Sequence, residues 1–292
     1  MNITNIHDLP QQFVDLAEQE YTQAPNEYRV TQLLKGLRET ILIRRHQDEI
    51  TVDVSDMVWM LFGTAVHDVL ERRQELPTEL KEERLKLHYN GYILSGKFDL
   101  YCTEKQELTD YKTASVWKIV FGDFDDWRRQ QLLYALMLAD IGYSATKGKV
   151  VAFLKDHSKS KARFDASYPQ LPVQTVRFRF TGEDIEATNN WVAGQFIRIK
   201  ALEQKPDDEL TLCTPEERWN SGDQWAVMKA GRKSALRVLD SQDEAAEWMV
   251  GNGKGETIEH RPGVDRKCQD YCYAAPFCNY YLNNVGGVKN GS

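Results

Sequence analysis

Two hydrophobic periods alternate along this chain, and each change of period marks an element. The first ~55 residues read as helices joined by polar connections, the best formed over 28–45. Val58, Leu61, Phe62, Val66, Val69 and Leu70 then recur at spacings of three and four, which predicts a helix over 57–74 that Pro77 ends. From Arg84 the period becomes two: Leu85, Leu87 and Tyr89 alternate with polar residues up to the hairpin pair Asn90-Gly91. The chain returns as a strand over 92–102, turns at 104–106 and enters a short strand over 107–113. A helix over 125–141 follows, apolar through Leu132, Leu133, Leu136 and Met137 and ended near Gly142. Strands are predicted over 149–154 and 173–180, then a long helix over 183–203 with Thr181 as N-cap and Asp184 at its N3 position.

Around 205–209 the chain turns polar and charged, which predicts a boundary between residues 1–205 and a smaller segment, 206–292. In that segment 225–229 and 235–239 flank Gly231 like a hairpin, and Ser241 with Glu244 forms a capping box for a helix reaching Val250. Residues 285–292, rich in Gly and Asn, are expected to fray. Helices, hairpin, short strand, helix and further strands in this order predict an α/β core with mixed strand directions.

With 292 residues, 41% of them hydrophobic, the chain can bury one generous core, or one core with an appendage. No run of about 18 apolar residues occurs, and residues 1–10 lack a basic stretch followed by an apolar one, so the expectation is a cytoplasmic protein with no membrane span. A net charge of -7 does not draw the whole protein to nucleic acid, so phosphate contacts would be confined to one basic groove. Lys147, Lys149, Lys155, Lys159, Lys161 and Arg163 are the candidates, against the reading of a solvated charged face.

The chemistry is carried by Gly96-Lys97-Phe98-Asp99 and Leu108-Thr109-Asp110-Tyr111-Lys112-Thr113. Residues two apart on a strand share a face, so Asp110 and Lys112 point the same way, and Asp99 on the preceding strand can lie beside them. Two carboxylates and a lysine converging in this way suit metal-assisted phosphodiester hydrolysis. Gly63 and His67 are four apart on one helix face, as are Gln130 and Tyr134 on another. Singly each has a structural reading: a hydrogen-bonded helix histidine, an exposed edge strand, a helix surface. Four such pairs in one order point to a site.

That order resembles the RecB-like branch of the PD-(D/E)xK nucleases, with its G-x-x-x-H helix, G-x-x-D strand, D-x-K strand and Q-x-x-x-Y helix. The match covers residues 60–140 with continuation to 204, and Phe98 stands where the family name has proline. The resemblance implies a restriction-endonuclease-like core, a mixed central sheet flanked by helices. It implies Mg2+ or Mn2+ held by His67, Asp99, Asp110 and the Tyr111 carbonyl, with Lys112 acting on the attacking water. Gln130 and Tyr134 would position the substrate strand. The implied activity is a DNA exonuclease of recombination or repair that leaves 5′-phosphate ends on single strands or at DNA ends. A structure-selective or single-strand endonuclease and a non-catalytic DNA-binding subunit are the alternatives. A virus-encoded exonuclease acting in the host cytoplasm is a setting that only the resemblance suggests. No G-x-x-x-x-G-K-[ST] loop is present, so a helicase or strand-annealing partner would be a separate chain.

Five cysteines in a chain expected to be intracellular argue against a disulfide framework. Cys268, Cys272 and Cys278 crowd near the C-terminus, with Cys213 as the fourth candidate ligand; Cys102 reads as a buried strand residue. The arrangement is similar to that of AddB and the CRISPR-associated nucleases of this type, and implies a [4Fe-4S] cluster, with Zn2+ as the alternative. It departs in that Cys213 follows the nuclease motifs, whereas the distant cysteine of those relatives precedes them. Lys229, Arg232, Lys233 and Arg237 of the C-terminal hairpin are read as DNA-backbone contacts or as a solvated hairpin.

Overall fold

The computed structural model describes residues 1–18 and 24–286, so the expectation for 285–292 lies almost wholly outside the described residues. Contacts divide the chain into two units: Met1–Thr40 with Gln47–Gln204, and Ile41–His46 with the chain from Lys205 onward. The first unit begins with β1 (Asn2–Thr4), α1 (Gln11–Ala17), β2 (Glu27–Arg29), α2 (Val30–Leu33) and α3 (Leu37–Arg45), which from Ile41 onward belongs to the second unit. The helix expected over 28–45 is therefore broken. Tyr28 is fully buried in β2, opposite Leu94, and the Gln32 side chain accepts the Arg29 N–H at 2.8 Å to start α2. Burial of a large aromatic in a sheet overrides local helical pattern here.

β3 (Thr51–Asp53) leads into α4 (Val54–Glu71), which starts earlier than its periodicity suggests because Asp53 accepts the Ser55 N–H at 3.0 Å as N-cap. Val54, Met57 and Leu61 are buried, but Phe62 and Val69, counted as core by the pattern, are exposed. Next come β4 (Glu79–Lys81), β5 (Arg84–Tyr89), β6 (Tyr92–Lys97), β7 (Leu100–Cys102) and β8 (Glu107–Ala114). After them run α5 (Val116–Phe121), α6 (Asp125–Asp140), β9 (Lys147–Leu154), α7 (Lys159–Phe164), β10 (Val173–Arg179) and α8 (Gly182–Glu203). One mixed sheet has the order β10-β9-β8-β7-β4, parallel only between β8 and β9; a second has the order β2-β6-β5. The architecture is thus α/β, with mixed sheets flanked by helices.

The predicted strand over 92–102 is in fact two strands, β6 and β7, that belong to different sheets. α6 packs against β5 of one sheet and against β8 and β9 of the other, and every residue from Gln130 to Leu138 is buried. A helix enclosed on all sides loses the polar face that marks a surface helix. Its polar residues then need internal partners, and the buried Gln131 amide donates to the Lys149 carbonyl at 2.9 Å. α8 closes the unit: Thr181 and Asp184 form the expected capping box, and Phe196 packs on Tyr28, Tyr89 and Tyr92.

The second unit contains the expected hairpin as β11 (Gln224–Met228) and β12 (Arg237–Leu239), and the expected helix as α9 (Gln242–Asn252) capped by Ser241. A third strand, β13 (Thr257–Arg261), pairs with the other side of β11 and has too few apolar residues to be read from pattern. α10 (Arg266–Asp270) and α11 (Asn279–Asn284) follow.

A Cβ added at Gly96 would lie 2.6 Å from the buried Tyr134 ring and 2.9 Å from Val30 Cγ2. Gly96→Ala is therefore expected to destabilise the protein by roughly 1–3 kcal/mol, the usual cost of overpacking a filled core. Urea denaturation measures it; a variant as stable as the wild type would mean that the ring is free to move aside.

Candidate active site

The break between β6 and β7 falls at Phe98 and Asp99, and it creates the site. Phe98 is buried against Tyr134, which fixes the peptide that turns from one sheet to the other. β7 pairs with β8 only as far as Leu100 opposite Thr109, so β8 beyond that point has an open edge on this side among the described residues. The Tyr111 N–H on that edge donates to Asp99 Oδ2 at 2.7 Å. A carboxylate thus stands in for the missing strand partner, with its second oxygen left facing α4.

His67 approaches from α4, its Nδ1 3.3 Å from Asp99 Oδ1. This contact is the main cause of the raised His67 pKa, opposed by burial. Gly63, one turn earlier, faces Thr113: an added Cβ would stand 3.4 Å from its hydroxyl. Glu82 completes a group that the sequence reading missed. Ligand atoms of His67, Glu82 and Asp99 lie within 4.8 Å of one another. Burial raises the Glu82 pKa while its ion pair with Lys97 lowers it. Glu82 lies in the charged run Lys81-Glu82-Glu83-Arg84, which reads as a solvated turn. Its signal was the hairpin register, because continuing Arg84-opposite-Lys97 by two residues sets Glu82 opposite Asp99.

Asp110 and Lys112 share a face of β8 as expected, with Lys112 Nζ 3.1 and 3.0 Å from Asp110 Oδ1 and Oδ2. Burial pushes the Asp110 carboxyl up to about 6, and Lys112 acts against that shift. Asp110 Oδ2 is buried and receives no hydrogen bond, although the Lys112 charge is beside it. An under-satisfied buried carboxylate oxygen next to a His–Glu–Asp set is the donor chemistry that a hard divalent cation requires. The residues therefore fit such an ion. Asp110 itself is outside the tight triple formed by the other three.

Gln130 and Tyr134 stand behind Asp110 and are both buried, with Gln130 Nε2 3.4 Å from Asp110 Oδ1 and from the Tyr134 hydroxyl. Buried there, they support the carboxylate and do not reach an open surface, which departs from the expected contact with a substrate strand. Burial pushes the Tyr134 hydroxyl far above its ordinary pKa, which keeps it neutral. A cleft of about 360 Å³ opens over Met60, Gly63 and Thr64 of α4, and over His67, Glu82 and Asp99.

The basic stretch divides in the structure. Lys149 pairs with Glu107 at 3.0 Å on the sheet, whereas Lys155 lies 4.3 Å from the centre of the Trp59 ring. Cys102 is half-buried on β7. In the second unit Cys213, Cys268, Cys272 and Cys278 are all partly buried. Burial, Asp265 and Cys278 push the Cys268 thiol up to about 11. Arg218 ties this region together: it donates to the Cys213 carbonyl and lies 3.1 Å from Asp265, which also accepts from the Tyr280 hydroxyl at 2.7 Å. Among the described residues the four sulfurs do not gather within 4.8 Å as the His67 group does.

No helix among the described residues is long and apolar enough to cross a membrane. No known family profile and no curated protein matches the sequence. Among solved structures the chain is similar to the crystal structure of SSO0001, with TM-score 0.45 and 13% identity over 68% of this chain and 85% of that one. It is also similar to LHK-Exo in complex with dAMP, with TM-score 0.33 and 12% identity over 59% of this chain and 91% of that one. A phage-related exonuclease from Haemophilus somnus gives TM-score 0.29 and 13% identity over 66% and 80% of the two chains. At such low identity the chemistry of this chain rests on its own residues.

The raised pKa values fix a sign for pH dependence. In metal-free protein folded Asp110 holds its proton to about pH 6, above the value of about 3.9 for an unfolded aspartate. Its contribution to stability is thus full at low pH and lost as pH rises through 6; raised His67 adds a loss of the same sign at higher pH. In chelator, the stability of Asp110→Asn relative to wild type is expected to rise by roughly 1–2 kcal/mol between pH 5 and 7. Urea midpoints at each pH test this, and a constant difference would contradict a raised Asp110 pKa.

Proposed function

We propose that this chain is a Mg2+- or Mn2+-dependent deoxyribonuclease with a PD-(D/E)xK core of the RecB-like type, acting as an exonuclease on DNA ends or single strands. The observation that carries the reading is the meeting of His67, Glu82 and Asp99 beside the Asp110–Lys112 pair, at the open edge of β8. His67, Asp99, Asp110 and the Tyr111 carbonyl are the proposed ligands, and Glu82 joins them. When bound, the ion supplies charge neutralisation at the phosphate and acidifies a water.

The protein's own groups do the rest. Asp110 holds the partly exposed Lys112 ammonium beside the site. From there Lys112 orients the attacking water and donates to the phosphate oxygens as their charge grows. Water oxygen bonds to phosphorus as the P–O3′ bond breaks, leaving a 5′-phosphate and a 3′-hydroxyl. Gln130 and Tyr134 act through Asp110 as positioning residues. We place the activity in recombination or repair, with any helicase or strand-annealing protein on a separate chain.

For the cysteines we propose a [4Fe-4S] cluster held by Cys213, Cys268, Cys272 and Cys278. Four soft donors within one unit, two of them close enough to raise a thiol pKa, support it. Zn2+ held by the same four cysteines is the alternative. Anaerobically purified protein should carry about four iron atoms with absorbance near 400 nm, lost in Cys268→Ser; one zinc ion per chain would replace the cluster with the alternative.

End-labelled linear and circular single-stranded DNA should be digested with Mg2+ or Mn2+ by wild type and by Lys112→Ala. Degradation of the linear form alone, lost by a factor of roughly 10² or more in the variant, is expected. Cutting of circles would indicate the endonuclease. Mn2+ should raise the Tm of wild type but not of Asp99→Ala, and folded protein that cuts neither DNA in either metal would leave only a binding role.

A further inference from the structure

Several large aromatic side chains of the first unit are exposed. Trp59 is 60% exposed and Phe62 45%, although both belong to the helix that carries His67. Their rings meet edge to face at 6.3 Å. Trp117, 51% exposed, begins α5 directly after the strand that carries Lys112. Phe164, 89% exposed at the end of α7, faces Trp117 across a groove of about 520 Å³ that also includes Lys161 and Tyr168. Water contact at so many large rings is costly, and a soluble chain rarely keeps such a patch without a use.

Lys155 links the two aromatic pairs. Its ammonium lies over Trp59, and its backbone N–H donates to Ala114 at 3.0 Å, at the end of β8 just before Trp117. Lys161 lies 6.0 Å from the Tyr168 ring within the groove. Asp165, the acidic residue of the wall, has its carboxylate turned onto the Ser167 N–H and O–H at 2.9 and 2.6 Å. Flat apolar faces interleaved with cations, on the helix that carries His67 and on the helices that follow β8 and β9, fit bases that are not paired with a complementary strand. In a duplex those faces are stacked within the helix and closed to side chains.

We propose that Trp59, Phe62, Trp117 and Phe164, with Lys155 and Lys161, form a track that binds an unpaired nucleic-acid strand leading to the cleft. Its bases stack on the rings and its phosphates meet the two lysines. This rests on the nuclease reading only for the direction of the track, because strand binding itself needs no catalysis. The aromatic share of the affinity is independent of charge, which suits an acidic protein.

Binding of a fluorescein-labelled oligothymidylate of about 20 nucleotides, measured in EDTA so that no cleavage occurs, tests the track. Trp117→Ala with Phe164→Ala should weaken binding about tenfold or more, and Trp117→Phe should largely restore it. Lys155→Ala with Lys161→Ala should reduce the salt dependence by roughly 1.4 in log–log slope. Unchanged melting temperatures would confirm that the exposed substitutions leave the fold intact. Oligothymidylate affinity unchanged in the aromatic variants overturns the proposal, as does an equal loss for fully paired duplex. A wild-type dimer that these substitutions convert to monomer, with strand affinity retained, overturns it in favour of self-association. Track-dependent binding by a wild type that never cleaves DNA upholds the track and removes the nuclease reading. Cleavage with track-independent binding does the reverse.

Discussion

The first unit depends on one substitution of partners: the Asp99 carboxylate accepts a backbone N–H of β8 where a neighbouring strand has ended. A buried N–H without a partner costs free energy comparable to a lost hydrogen bond. Asp99 meets that need and permits the chain to cross from one sheet to the other. Its remaining oxygen is committed toward α4, where His67 and Glu82 gather. The same residue therefore stands where a strand ends, satisfies an edge and keeps one oxygen beside His67 and Glu82.

The second constraint comes from α6. Enclosed by two sheets, it must find internal partners for its polar side chains, and the amide N–H groups of Gln130 and Gln131 turn to opposite tasks, although the buried Gln131 Oε1 accepts no hydrogen bond. Gln131 bonds to the β9 backbone, while Gln130 faces the carboxylate of Asp110. Tyr134 fills the space that Gly96 leaves open. The glycine of the G-x-x-D strand and the tyrosine of the Q-x-x-x-Y helix are thus two halves of one contact. Asp110 is desolvated and beside Lys112, and burial outweighs the lysine in raising its carboxyl to about 6.

This explains which parts were legible in the sequence. The Asn90-Gly91 hairpin, the Thr181 cap and the shared face of Asp110 and Lys112 follow from local rules, so they could be read directly. The break at Phe98–Asp99 could not, because both halves have strand pattern and only pairing with different sheets separates them. Tyr28 was hidden for a related reason: a helical spacing around it gave no sign that its ring was needed between β6 and α8. Glu82, which meets His67 and Asp99, was not read from the sequence. Its charged surroundings describe a turn, and only the extended hairpin register brings it opposite Asp99.

The net charge of -7 then has a physical place in the design. Carboxylates gathered at the cleft beside His67 make its neighbourhood unfavourable to a polyanion unless that charge is neutralised. Long-range attraction by a large basic surface would be at odds with such a site. Short-range contacts are not: dispersion and stacking act at ring-to-base distance and are insensitive to the sign of the surrounding field. Exposed rings on α4, α5 and α7, with a lysine set against Trp59, offer that kind of contact close to the chemistry. An acidic protein can in this way meet an unpaired strand through its uncovered bases, with only a few lysines needed for its phosphates.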